Sequence, residues 1–248
     1  MRKEEYIHYY KIENDYWWFK GMRSIYLRSL KKAYNGKGGL RILDVGCGTG
    51  RTMKDLGQLG DVTGVDIEPL ALEFCKSRGV NKVTLSDGKR LPFKDRLFDL
   101  VTLFNIIEHV DQEDELMKEA SRVCADNGKI IVTTSAFNSL WSKHDIANEH
   151  KRRYTKRTLR DVVEKRFRVE RMTYTNCLLF PLIWAGIMIS NLLNKDMHEP
   201  SDGFYDIPKY ANKALTAILR MEAILLQKIN FLFGVSLLCI AQKNHKSD

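Results

Sequence analysis

Apolar and polar residues fall into blocks along positions 38–137. Short continuous apolar runs at 42–45, 62–65, 83–85, 98–104 and 129–134 predict five strands buried on both faces of a parallel sheet. The stretches between them read differently. Pro69 opens a helix after the second run, and 113–124 has Leu116, Ala120 and Val123 along one side of an amphipathic helix. Asn127-Gly128 then makes a turn. Strands alternating with helices predict an α/β, doubly wound, Rossmann-like sheet. Two later runs, 167–174 and 235–242, read as a sixth and a seventh strand. Between them lie an apolar stretch at 178–189, a polar break at 195–206 and a helical pattern over 208–231. That pattern predicts a packed face of Tyr210, Ala214, Ile218, Leu225 and Ile229.

The chemistry concentrates where the first two strands end. Asp44-Val45-Gly46-Cys47-Gly48-Thr49-Gly50 follows the first run, and Asp66-Ile67 follows the second. Glycines at alternate positions let the backbone approach a ligand closely, and the helix behind them offers unpaired N–H groups. A carboxylate at the second strand end suits a ribose diol, although Asp66 also fits a cap of the helix entered at Pro69. The spacing is G-x-G-x-G and not the dinucleotide G-x-G-x-x-G. Asp44, two residues ahead of the first glycine, is a poor neighbour for a diphosphate and a good one for an ammonium or a sulfonium.

Asp44 with Gly46, Gly48 and Gly50 resembles the nucleotide-binding signature of the class I S-adenosylmethionine-dependent methyltransferases, of the type 11-like kind. The resemblance covers roughly residues 38–137. It implies a seven-stranded sheet of order 3-2-1-4-5-7-6, with the last strand antiparallel, and S-adenosyl-L-methionine as cofactor. It implies that Asp87, followed by Gly88, bonds the adenine amino group. It also implies that the backbone of Asn105-Ile106-Ile107-Glu108-His109-Val110 flanks the cofactor, with His109 near the reacting methyl. The cofactor-binding set expected on this basis is Trp17, Arg23, Asp44, Gly46, Cys47, Gly48, Gly50, Asp66, Ile67, Asp87, Gly88, Asn105 and Ile107. An oxygen acceptor is better served by a neutral histidine, and His109, His144 and His150 are the catalytic candidates. They lack tight ligand spacing, so no metal is expected.

Three segments outside this core individualise the chain. The leading segment 1–36 carries Tyr16-Trp17-Trp18-Phe19-Lys20-Gly21-Met22-Arg23. Four adjacent aromatics cannot share one side of a single element, so the segment is expected to wedge between surfaces. It resembles the start of methyltransferases encoded beside glycan-assembly enzymes, which implies a cap over the cofactor mouth with Arg23 pairing the methionine carboxylate or an anionic substrate. Segment 151–171 holds ten Lys or Arg against three acids, a surplus of seven in a chain of net charge +9. Placed after the fifth strand, it predicts an anionic acceptor held by Arg152, Arg153 and Tyr154, or else a solvated helix face. Segment 176–232 is a helical insertion that roofs the pocket for a lipid-linked acceptor, or packs on the sheet or on a second copy. The core is then 37–175 with 233–244, all one domain.

Composition narrows the setting. The start of the chain is charged, with no apolar run behind it, which reads as lacking a secretory leader. Five scattered cysteines without C-x-x-C spacing argue against disulfides and structural zinc and for a cytoplasmic enzyme, at most at the inner membrane face. The apolar stretch 178–189 falls short of the about 20 residues a membrane span needs. Asn105-Ile106-Ile107-Glu108 stands where amino-directed DNA methyltransferases carry N/D-P-P-Y/F, so no nucleic-acid partner is expected. The reading is methyl transfer to a small-molecule acceptor, an oxygen of an anionic glycan or a lipid-linked substrate. A nicotinamide-dependent oxidoreductase and a non-catalytic nucleotide-binding protein are the alternatives.

Overall fold

The computed structural model describes residues 2–193 and 207–244. In chain order the elements are α1 (Lys3–Ile12), α2 (Trp17–Ala33), β1 (Leu40–Val45), α3 (Arg51–Leu56), β2 (Gly60–Asp66), α4 (Pro69–Ser77), β3 (Val83–Leu85), β4 (Phe98–Phe104), α5 (Glu113–Val123), β5 (Cys124–Ser135), α6 (Lys143–Ala147), α7 (Lys156–Val163), β6 (Phe167–Thr175), α8 (Phe180–Leu193), α9 (Lys209–Leu225) and β7 (Ser236–Lys243). The seven strands form one sheet of order β3-β2-β1-β4-β5-β7-β6. β1 through β5 run parallel, and β7 lies antiparallel between β5 and β6, as the resemblance implies. The polar break at 195–206 lies outside the described residues.

Both faces of the sheet are covered, which explains the unbroken apolar runs. One face presents Leu43, Val101, Leu103, Val132 and Leu237 to α5 and α7, through Leu116, Met117, Leu159 and Val163. The other presents Ile42, Leu100, Ile131, Leu238 and Ile240 to α2 and α9, through Ile25, Leu30 and Ala223. The two helices of that second layer are pressed together. A Cβ at Gly21 of α2 would sit 2.3 Å from Cδ1 of Leu219 of α9.

α9 buries a different stripe from the one its pattern predicts. Thr216, Leu219, Glu222 and Ala223 face inward, while Tyr210 is 77% exposed and Leu225 and Ile229 also lie outside. The reason is polar. Glu222, fully buried, accepts the backbone N–H groups of Asn176 at 2.6 Å and Leu178 at 3.0 Å, so the helix must turn that carboxylate toward the end of β6.

Candidate functional site

The C-terminal ends of β1, β2 and β4 open into a cavity of about 440 Å³. Its floor is the glycine turn. Gly46, Gly48 and Gly50 all have positive φ. Gly46 has to be glycine: at φ +72° a Cβ there would sit 2.0 Å from Cδ1 of Ile106, whereas at Gly48 nothing lies within 4 Å and the turn is a cradle open to the cavity. Gly46, Cys47 and Gly48 line the cavity, while Gly50 serves as the left-handed entry to α3.

Two carboxylates flank this floor. Asp44 sits within the sheet, 2% exposed, and accepts the hydroxyl of its cross-strand neighbour Thr102 at 2.6 Å. Burial pushes its pKa up to about 7; the Thr102 bond opposes the shift and Asp66 adds to it. Asp66 accepts from the Gly48 N–H at 2.8 Å, the Glu68 N–H at 3.0 Å and the Tyr6 hydroxyl at 3.0 Å. Burial raises its pKa too, against the pull of these donors. Ile67, 67% exposed, and Asp87 with Gly88 complete this side.

The roof comes from α1 and α2 and not from the segment between β6 and β7. Tyr6, Tyr9, Trp18, Phe19, Arg23 and Tyr26 line the cavity. Among the described residues of 176–232 none does, and α9 packs on the sheet, the alternative expected for that segment. The strap is fastened at its elbow. Arg78, at the end of α4, lies 4.3 Å over the Tyr10 ring, donates to Glu13 at 2.6 Å and to the Tyr10 carbonyl at 2.9 Å. Glu13 in turn accepts from Thr49 of the glycine turn. Trp17 is a correction: it opens α2, bonds Asn212 through its backbone and meets Trp18 edge to face, while Trp18 and Phe19 take the cavity positions. Successive helical positions diverge by about 100°, so adjacent aromatics had to part. Arg23 does line the cavity, with Nε on Asp55 at 2.9 Å and Nη1 on the Glu13 carbonyl.

Across from the cradle, the turn after β4 and the segment around α6 bring three histidines together. His109, His144 and His150 all line the cavity. The His109 and His150 ring centroids are 4.7 Å apart, and those of His144 and His150 5.8 Å. His150 Nδ1 lies 2.8 Å from Asp145, whose carboxylate Arg153 clamps with Nε at 2.7 Å and Nη2 at 2.8 Å. Burial alone would raise the Asp145 pKa, but the bonds from His150 and Arg153 hold it well below the ordinary carboxylate range. Burial, reinforced by His150, pushes His109 down to about 3, so it is neutral. A second depression of about 460 Å³, lined by His109, Trp141, Ile146, Glu149, His150 and Lys151, meets the first at His109 and His150.

Several expected positions fall elsewhere. Ile107 is fully buried in the core and Ile106 takes its place in the cavity, because the left-handed Asn105 reverses the chain there. Asn105 itself lines the cavity. Arg152, Arg153 and Tyr154 do not. Arg152 pairs with Glu113 at 2.8 Å, Arg153 is spent on Asp145 and on the Ala136 carbonyl at 3.0 Å, and Tyr154 bonds Glu113. Part of the basic segment is paired in the same way, with Lys165 and Arg166 on Asp114 and Lys151 near Asp111. Tyr6, Glu13, Glu108 and Asp145 line or support the site with no role expected from sequence. Glu108 stands inside the quoted Asn105–Val110 stretch, and Asp145 lies between two candidate histidines.

Comparison with known proteins agrees with this geometry. Residues 43–132 match the family model Methyltransf_11, described as a methyltransferase domain. The Archaeoglobus fulgidus SAM dependent methyltransferase superposes with a TM-score of 0.54 at 24% identity, over 87% of this chain and 94% of that one. The core has the class I methyltransferase fold. Among curated proteins, the ubiquinone/menaquinone biosynthesis C-methyltransferase UbiE of Cupriavidus metallidurans is 33% identical over 116 residues, 43% of this chain and 47% of that protein. The sterol 4-C-methyltransferase strm-1 of Caenorhabditis elegans is 34% identical over 98 residues, 36% of this chain and 29% of that protein. The chain thus spans less than half the length of either relative. The domain match and the fold indicate S-adenosylmethionine as the cofactor, and the cradle at Gly46 with flanking Asp44 and Asp66 fits it.

Proposed function

We propose that this chain is an S-adenosylmethionine-dependent methyltransferase that methylates an oxygen of a small-molecule acceptor. The observation that carries the proposal is His150, held by Asp145 and facing the glycine cradle across one cavity. Asp66 takes the ribose hydroxyls, Asp87, Gly88 and Ile67 border the adenine, and Asp44 answers the positive end of the cofactor. The cofactor, when bound, supplies a methyl group already activated as a sulfonium, so the protein chiefly orients the acceptor and excludes water. Asp145 fixes the His150 proton on Nδ1, which leaves Nε2 to take the proton of an acceptor hydroxyl. His109, neutral and edge-on to His150, keeps a second cation from this corner. The acceptor reaches His150 through the second depression, which shares that residue.

A lipid-linked glycan is the acceptor this reading favours, met at the inner face of a membrane. Its support is the exposed apolar surface of α8 and of Leu232. α8 has no charged residue over Phe180–Leu193 and exposes Leu182 and Trp184, while Leu232 is 83% exposed. No helix among the described residues is long and apolar enough to cross a membrane. Calorimetric titration with S-adenosylhomocysteine and with the nicotinamide cofactors tests the cofactor. Labelled methyl transfer into glycan and lipid extracts tests the acceptor. Nicotinamide binding without nucleoside binding would overturn the proposal.

A further inference from the structure

Glu108 occupies an unusual position. It is fully buried, it lines the main cavity, and neither carboxylate oxygen makes a close hydrogen bond among the described residues, the Thr134 hydroxyl and the Ser135 backbone N–H standing nearest to it. Its main chain is committed, with the carbonyl accepting from the Lys151 N–H at 2.8 Å. His109 beside it leaves Nδ1 buried and unbonded in the same cavity. Unpartnered buried carboxylates are costly, and a site that keeps one aims it at something that completes it.

We infer that Glu108 accepts a hydrogen bond from an acceptor hydroxyl next to the one methylated, so that the acceptor is a neutral vicinal diol of the kind a sugar ring carries. The inference rests on the methyltransferase reading above and deepens it. Burial raises the Glu108 pKa, so its ionised form needs a donor to complete it, and that form repels a carboxylate or phosphate as like charges do in a buried site. A cation is disfavoured as well. Arg23 and Arg51 already line the cavity, and a sulfonium is the expected neighbour. A neutral hydroxyl remains. Glu108 and His150 line the same cavity, so two acceptor groups face one bound molecule. Hydroxyls on adjacent carbons match that pair, one on His150 Nε2 and the other on Glu108. The anionic acceptor expected from the basic segment loses its footing here, because those guanidinium groups are paired elsewhere. A charged linkage of a larger substrate stays outside the cavity.

The test uses the full chain, wild type and Glu108→Gln, with Glu108→Asp as a variant that keeps the charge at shorter reach. Calorimetry with S-adenosylhomocysteine comes first; failure of the wild type to bind it would sink the methyltransferase reading itself. The loaded protein is then offered trans-1,2-cyclohexanediol, cyclohexanol, methyl glucoside, methyl glucuronide and methyl glucosaminide. Binding is read on this loaded protein by saturation-transfer NMR, and turnover in separate reactions with S-adenosylmethionine labelled in its methyl group. The expected result is that the diol and the glucoside bind and the mono-ol does not. Glu108→Gln should keep its nucleoside affinity, show no lower melting temperature, and weaken diol binding by about tenfold or more through KM with less change in kcat. Glu108→Asp should recover part of that loss. Equal binding of cyclohexanol, preference for the glucuronide or the glucosaminide, an unaffected Gln variant, or nucleoside binding with no diol bound would each overturn the inference while leaving the cofactor assignment standing.

Discussion

His150 donates its Nδ1–H to Asp145 at 2.8 Å, while Arg153 holds the same carboxylate at 2.7 and 2.8 Å. The histidine is thereby fixed in one tautomer by a partner that is itself immobilised. If His150 takes the acceptor proton, His150→Gln should lower kcat by about 10²-fold or more and leave S-adenosylhomocysteine affinity unchanged. His109→Gln should slow turnover far less, since a ring whose pKa lies near 3 is a poor base. Single-turnover methyl transfer to a glycoside separates the two; equal losses would deny His150 its special place.

Asp66 ties three donors together at the second strand end: Tyr6, the Gly48 N–H and the Glu68 N–H. Asp66→Ala removes the ribose acceptor and frees the cradle amide at once. Cofactor affinity should fall more than about tenfold, roughly 1.4 kcal/mol or more, by calorimetry. An unchanged dissociation constant would mean that the nucleoside sits elsewhere.

What sequence could and could not reveal follows from the range of the interactions. Strands β1, β2 and β4 were legible because each is a continuous apolar run, and the cradle because glycine spacing and Asp44 are local. The stripe of α9 was not. Its inward face contains Thr216 and Glu222, and only the folded chain brings the amides of Asn176 and Leu178 to that carboxylate. The basic segment misled for a similar reason. The acids that neutralise Arg152 and Arg166 are Glu113 and Asp114, 39 and 52 positions upstream, beyond the reach of any local charge count. Asp145 was passed over between His144 and His150 because its role needs Arg153 as well as His150 to approach from outside its own helix.

That pairing sets apart two neighbours that look alike in sequence. Arg152→Glu breaks a partly exposed pair with Glu113, so stability should drop by no more than about 1 kcal/mol, with acceptor KM and cofactor affinity unmoved. Arg153→Ala leaves Asp145 buried without its clamp and should cost about 3–5 kcal/mol in urea unfolding. A raised KM in the Arg152 variant with normal stability would restore the anionic acceptor site that the geometry removes.

Asp44 gives the site a pH signature of definite sign. Burial places its pKa at about 7, above the ordinary carboxylate value it regains on unfolding. Between those two values the folded state holds the extra proton, so the Asp44 contribution to stability declines as pH rises from about 4 to about 7. A positive cofactor favours the ionised form, so binding releases that proton and affinity should climb between about pH 6 and about pH 8, then level off. Asp66 and Glu13 are also pushed upward by burial, so the comparison must isolate Asp44. Asp44→Asn should flatten the affinity profile, bind the cofactor more weakly at high pH, and melt no lower than wild type there, because the buried charge is gone. Calorimetry in two buffers of different ionisation enthalpy counts the released proton directly; a wild type that releases none near pH 7 would show that Asp44 does not face the charge of the cofactor.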